Sequence, residues 1–144
     1  GGAAEVGAVR GVRRVVVGAV DVLADIGAAQ QRGVLLPARS EVVLAARLAG
    51  ICALIDGVAA QLDDLTATQA DAAHARALGM SGKLCIHPRQ VGEVQRAFAP
   101  SPIEIHWAQR VLASGHAATT AARAMVDAPV RLRARAILGA LATA

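Results

Sequence analysis

The chain has 144 residues, of which 55% are hydrophobic and 18% charged, with a formal net charge of +4. That is enough apolar material to fill one core, yet no apolar run approaches the ~18 residues of a membrane span. Phe98 and Trp107 are the only aromatic residues, so there is no ladder on which bases stack, and the basic balance is not read as a nucleic-acid signal.

Val6 to Val12 reads as the tail of a helix or a loop leading into the first strand. Val15-Val16-Val17-Gly18-Ala19-Val20 is the first continuous apolar run, and it ends at Asp21. Continuous runs suit strands buried on both faces better than half-exposed ones. Val22 to Gly27 is a short turn or helix. Residues 30–38 read as a loop with Pro37 as a breaker. Ser40 then caps a helix over 41–49, and Gly50 closes it. The second run, Ile51 to Ile55, ends at Asp56. After the polar stretch 61–64, Thr66 or Thr68 caps a helix that runs to Leu78 and stops at Gly79.

The third run, Leu84-Cys85-Ile86, follows Gly82 and Lys83 and ends at His87. The three polar stops are spaced by about 30–35 residues, the length of a strand, a crossover helix and two loops. Parallel strands are expected near 14–20, 51–56 and 83–87, with helices between them. Only helices are expected after Pro88: 91–98, then 103–113 with Ser101 as cap and Pro102 at its first position, then 130–141. Gly115 to Ala122 reads as a loop.

In parallel barrels the C-terminal strand ends carry the chemistry, so Asp21, Asp56 and His87 are candidate site residues. Asp21 and Asp25 are spaced i, i+4, a face that suits a divalent cation; the alternative for Asp25 is a solvated helix residue. An acid directly after a buried strand must be paired, hydrogen-bonded or bound to a cation. Asp56 is either such a group or a capping acid. Lys83, the only lysine, is a phosphate contact, a point charge in a pocket or a surface cation. His87 is a general acid/base, a ligand or a core histidine bonded to a carbonyl. On composition, Asp127 before Ala128-Pro129 reads as an N-cap for the last helix. Cys52 and Cys85 lack CxxC spacing and read as core residues. There is no nucleophile elbow, dinucleotide loop or phosphate loop.

Taken in order, five segments resemble the HpcH/HpaI aldolase and citrate lyase beta-subunit family. They are Gly18-Ala19-Val20-Asp21-Val22-Leu23-Ala24-Asp25-Ile26-Gly27, Ala53-Leu54-Ile55-Asp56-Gly57, Gly79 to Gln90, Ala97 to Ser101 and Met125-Val126-Asp127-Ala128-Pro129. The resemblance implies an α/β fold, a partial TIM (β/α)8 barrel comprising about the last three βα units, with a C-terminal helical extension. Residues 1–98 would be the C-terminal part of a barrel lyase domain, and 99–144 a helical extension carrying a subunit-swapped lid. The chain reads as truncated, without the family's first strands, its second metal-ligating Glu and its substrate Arg.

The resemblance also implies a function: a Mg²⁺-dependent carbon–carbon lyase acting on a CoA or acyl-carrier ester of a hydroxy acid. Citryl-CoA and malyl-CoA are the type substrates. Asp21 matches the family's metal ligand, and Asp127 its catalytic Asp, contributed to a neighbouring subunit. Asp56, Lys83 and His87 are expected as pocket-lining residues. The implied partners are an acyl-CoA or oxo-acid substrate and further copies of the chain, as a trimer or hexamer. Neither nucleic acid nor membrane is expected, and the cytoplasm is the expected location. The alternative is a non-catalytic barrel remnant that associates through an exposed sheet edge.

Overall fold

In the computed structural model, described for residues 12, 14–27, 29, 32–50, 53–114 and 121–141, the chain divides into two compact units, 1–98 and 99–144. In the first unit β1 (Arg14–Val16) leads through α1 (Ala19–Asp25) and α2 (Arg32–Leu48) to β2 (Ala53–Asp56). There follow α3 (Leu65–Ala77), β3 (Gly82–Lys83) and α4 (Pro88–Phe98). The strands form one parallel sheet in the order β1-β2-β3, with Val15 opposite Leu54 and Asp56 opposite Lys83. The first two apolar runs thus supply β1 and β2, whereas β3 is formed by Gly82 and Lys83, just before the third run.

β1 stops short of the end of its apolar run, and β3 ends before the third run begins, each for a local reason. Val17 still donates to the Ile55 carbonyl, but Ala19 turns back onto Val17 and α1 begins there, so Gly18-Ala19-Val20 does not extend the strand. Gly57 packs against this turn so closely that a Cβ on it would lie 2.6 Å from the Val17 oxygen. At the third strand, Leu84 donates to the Asp56 carbonyl, and the ladder then ends. The amides of Ile86 and His87 donate instead to the Gln90 side chain.

Side chains alternate across a strand, and one face of the sheet is covered. There Val17 and Leu54 pack with Ala46 of α2, Ala75 of α3 and Met80. On the way into α2 the expected loop over 30–38 is corrected within its described part, because the helix already runs from Arg32 through Pro37 and Ser40. Pro37 removes one backbone donor, but the extra turns bury Leu35 against Ala19 and Leu23 and carry Arg39 into the interior. Gly50 and Gly79 adopt positive φ (72° and 98°) after α2 and α3, as their places in the sequence require. The cap of α3 is Asp64, which accepts from the Ala67 amide at 2.9 Å, rather than Thr66 or Thr68.

The second unit contains α5 (Pro102–Ala113) and α6 (Ala121–Leu141), which pack through Ala108, Ala134 and Ile137. Ser101 and Glu104 form the expected capping box, with Pro102 at the helix start. The expected start of the last helix at 130 is corrected. The helix is continuous from Ala121 through Pro129, so the backbone of Asp127 is helical and Asp127 does not cap it. The alanine-rich turns before Pro129 supply strong helix formers that outweigh one lost donor. Among the described residues no helix is long and apolar enough to cross a membrane. The expectation for Val6 to Val12 lies, apart from Val12, outside the described residues, as does Cys52.

Candidate functional site

The sheet's C-terminal edge carries a cluster of four charges. Asp56, last in β2 and fully buried, accepts at Oδ2 from Lys83 Nζ and from Arg39 Nη2, both at 2.8 Å. Lys83 Nζ also donates to the Gly57 carbonyl at 2.8 Å and pairs with Asp71 Oδ2 at 2.6 Å. Two ammonium protons are thus hydrogen-bonded, and Asp71 adds an ion pair. Arg39 Nη1 lies 3.6 Å from Asp71 Oδ1. Two cations and two carboxylates cancel, which is how charges are accommodated in an interior. The cluster ties together α2, β2, α3 and β3. It also disposes of the surface-cation reading of Lys83, whose side chain is 0% exposed.

A second tie lies beside it. Gln90 is 1% exposed; its Oε1 accepts from Ile86 and His87 at 3.0 and 3.3 Å, and its Nε2 donates to the Ala59 carbonyl at 2.9 Å. One amide therefore links the loop after β2 to the loop after β3. His87 itself is exposed, and its Nδ1 accepts from the Arg89 amide at 3.2 Å. Cys85 is a free, partly buried thiol. Burial pushes it above the ordinary thiol value, with the Lys83 ammonium opposing.

Asp21 stands in the first turn of α1, exposed to solvent. Its carboxylate lies over Gly18, where a Cβ would be 2.5 Å from Oδ2. Among the described residues no group of three or more His, Cys, Asp or Glu side chains converges on a metal position. Asp127 falls in α6 of the second unit, and its side chain lies outside what the structure describes.

A cavity of about 250 Å³ opens in the first unit. It is walled by α1 through Val20 and Leu23, by α2 through Leu35 and Arg39, by α3 through Thr68 and Asp71, and by the loop 58–61. Neither Asp21, Asp56, Lys83 nor His87 lines it. Asp56 and Lys83 join the cavity only through Arg39 and Asp71.

Of the sequence-derived candidates, the structure thus joins Asp56 to Lys83. Asp21 and His87 are not members of that cluster. Sequence reasoning missed Arg39, Asp71 and Gln90. Arg39 was hidden by the reading of 30–38 as a loop, because without the helix its phase relative to β2 is undefined. Gln90 was inside a recognised segment, but nothing in a sequence marks a glutamine that will be buried.

The HpcH/HpaI aldolase/citrate lyase family pattern matches residues 2–88. A citrate lyase subunit beta-like protein of Deinococcus radiodurans is 42% identical over 130 residues, covering 84% of this chain and 45% of that protein. The mitochondrial citramalyl-CoA lyase of Mus musculus is 35% identical over 133 residues, covering 86% of this chain and 39% of the relative. The crystal structure of CitE from Mycobacterium tuberculosis in complex with magnesium, acetoacetate and coenzyme A superposes with a TM-score of 0.80 at 33% identity. That match covers 96% of this chain and 55% of the other. The chain spans about half the length of the curated relatives it matches. With the α/β fold and the sequence pattern in agreement, the chain belongs to the HpcH/HpaI aldolase/citrate lyase family.

Proposed function

We propose that this chain is part of a Mg²⁺-dependent carbon–carbon lyase that cleaves or forms a bond in a CoA or acyl-carrier ester of a hydroxy acid, citryl-CoA and malyl-CoA being examples. Its three parallel strands are then the last three of a (β/α)8 barrel, and 99–144 the helical extension. The observation that carries this reading is the family match together with Asp21, exposed just past the C-terminal end of β1, where barrel enzymes hold their reacting groups. Magnesium and coenzyme A in the CitE complex support the same class of chemistry.

Asp21 suits Mg²⁺ as a hard oxygen donor, and Mg²⁺ is commonly held by one or two carboxylates with the rest of its shell water or substrate. Bound there, the ion would draw charge from the oxygens of the oxo-acid portion. Cleavage turns the substrate hydroxyl into a carbonyl and leaves an electron pair on the carbon next to the thioester. One proton must leave that hydroxyl, and one must reach that carbon. Asp127, matched to the family's catalytic Asp, is assigned one of these transfers, in the site of a neighbouring copy within a trimer or hexamer. Asp56 and Lys83 hold the ends of β2 and β3 in place from behind the site, and His87 is assigned to the pocket rim.

The test is Mg²⁺-dependent release of an acyl-CoA from malyl-CoA or citryl-CoA by the protein containing this sequence. Asp21→Asn and Asp127→Asn should each lower kcat by at least about 100-fold with the fold intact. Full activity of either variant removes that residue from the mechanism. A second reading, a non-catalytic association module, is favoured by one feature. Val16, Leu84 and Ile86 are 48%, 42% and 54% exposed at the strands and the β3 exit. A protein that turns over neither thioester, but self-associates through these residues, would replace the first reading with the second.

A further inference from the structure

We propose that Gly18 is a positioning residue for Asp21: its missing Cβ leaves open the place, over the turn before α1, that the Asp21 carboxylate occupies as a Mg²⁺ ligand. This rests on the lyase reading of Asp21 and adds to it a residue that acts through the ligand rather than on the ion.

A glycine is required where φ is positive or where another group comes too close for a Cβ. At Gly27, Gly50 and Gly79 φ is positive. At Gly18 it is not: φ is −76° and ψ is 75°, an inverse γ-turn open to any L-residue. The Ala19 amide closes that turn on the Val17 carbonyl at 3.0 Å. The requirement at Gly18 is therefore steric. A Cβ there would stand 2.5 Å from Asp21 Oδ2, 3.4 Å from its Cγ and 3.6 Å from its Cβ. Among the described residues, the three nearest atoms to this open place all belong to the Asp21 side chain.

Which group yields to a methyl at 18 follows from what is pinned. Val17 donates to the Ile55 carbonyl at 3.0 Å, the Gly18 carbonyl accepts from Val22 at 2.9 Å, and Gly57 packs against the same turn. The backbone therefore holds its place. The Asp21 carboxylate is exposed, and among the described residues no hydrogen bond or ion pair ties it down. It would move to another staggered well and leave the fold standing. A solvated surface acid makes that move at little cost and has no need of a glycine beside it. A metal ligand loses the position of its donor oxygen, and Mg²⁺, which demands near-ideal octahedral geometry, tolerates little displacement.

The experiment is a calorimetric titration of the protein containing this sequence with Mg²⁺ alone, with a thermal melt of each variant. Gly18→Ala should weaken Mg²⁺ binding by about 10–100-fold, the usual loss when a ligand's orienting partner is altered. Its melting midpoint should stay within about 4 °C of the unaltered protein. Asp21→Asn should weaken binding at least as much. The double variant should bind within about twofold of Asp21→Asn, because both changes act through one ligand. Gly18→Ser separates the Cβ from the helix start. Serine caps a helix better than alanine, so this variant regains any stability lost in Gly18→Ala while it carries the same Cβ. It should bind Mg²⁺ as weakly as Gly18→Ala, and it serves alone if Gly18→Ala does not fold. Binding within about twofold of the unaltered protein in Gly18→Ala, or its recovery in Gly18→Ser, overturns the inference, and a loss in Asp21→Asn then still keeps the lyase reading. No Mg²⁺ binding by the unaltered protein, or unchanged binding in Asp21→Asn, instead removes the metal role of Asp21 and overturns this inference with it.

Discussion

Asp56 and Lys83 face each other across the parallel β2–β3 register and meet at 2.8 Å, both side chains wholly buried. Lys83 therefore bridges two carboxylates, Asp56 and Asp71, that it shares with Arg39. Removing it leaves buried negative charge uncompensated. Lys83→Met should lower unfolding free energy by about 3–5 kcal/mol, measured by denaturant titration. Replacing all four charged residues by apolar ones of similar volume should recover most of that loss. A four-fold apolar variant as unstable as Lys83→Met would show that charge is not the reason.

The burial of Lys83 can be read chemically. It is the only lysine in the sequence, and its side chain is 0% exposed. In the folded chain an amine-reactive reagent should therefore modify the N-terminal amine and spare Lys83. Peptide mass spectrometry after labelling across a urea series should show Lys83 becoming reactive with the unfolding of the first unit. Rapid labelling of Lys83 without denaturant would contradict the cluster.

Cys85 supplies a pH dependence. Burial raises its thiol above the unfolded value of about 8.5, so the folded chain holds this proton more tightly than the unfolded one. The associated stability is complete below the unfolded value and is lost as pH rises through the folded one. Site-resolved alkylation should show Cys85 reaching half-maximal rate at higher pH than a model thiol, and unfolding free energy should decline through the same alkaline window. A midpoint below that of the model thiol would mean that the Lys83 ammonium outweighs burial.

The continuity of α6 separates two roles for Asp127. A helix cap lost to alanine costs about 0.5–2 kcal/mol, but Asp127 lies inside the helix, where alanine has the higher propensity. Asp127→Ala should leave thermal stability within about 0.5 kcal/mol, while turnover by the assembled protein disappears if Asp127 moves the proton. Mixed oligomers of Asp21→Asn and Asp127→Ser chains should regain partial activity if sites are shared between subunits.

Gly57 tests the turn before α1. An added methyl would lie 2.6 Å from the Val17 carbonyl and 3.1 Å from the Ala19 amide, both backbone atoms that cannot swing aside. Gly57→Ala should cost about 1–3 kcal/mol, the usual penalty of overpacking. Gly33→Ala is the control, because a methyl there meets nothing within 4 Å.

What the sequence disclosed and what it concealed divide along physical lines. The apolar runs ending in Asp21 and Asp56 reported β1 and β2, and the run ending in His87 stands just past β3; the expected burial on both faces does not hold, since Val16, Leu84 and Ile86 are exposed. Gly50, Gly79 and the Ser101–Glu104 box reported helix ends, because each acts through its own backbone. Pro37 and Pro129 misled for the complementary reason: a proline's local penalty is a few kcal/mol, and packing or neighbouring propensity absorbs it. The Arg39–Asp56–Lys83–Asp71 cluster spans four elements, so its membership depends on helix phase and strand register together. Asp56 and Lys83 stood out by position; their partners did not.

Gln90 has an evolutionary consequence. By serving the Ala59 carbonyl with one end and the Ile86 and His87 amides with the other, it makes two loops depend on one residue. Neither the Ala59 carbonyl nor the Ile86 and His87 amides can be displaced without breaking a Gln90 hydrogen bond. Diversification that moves these backbone groups therefore requires paired change in both loops, or loss of the glutamine.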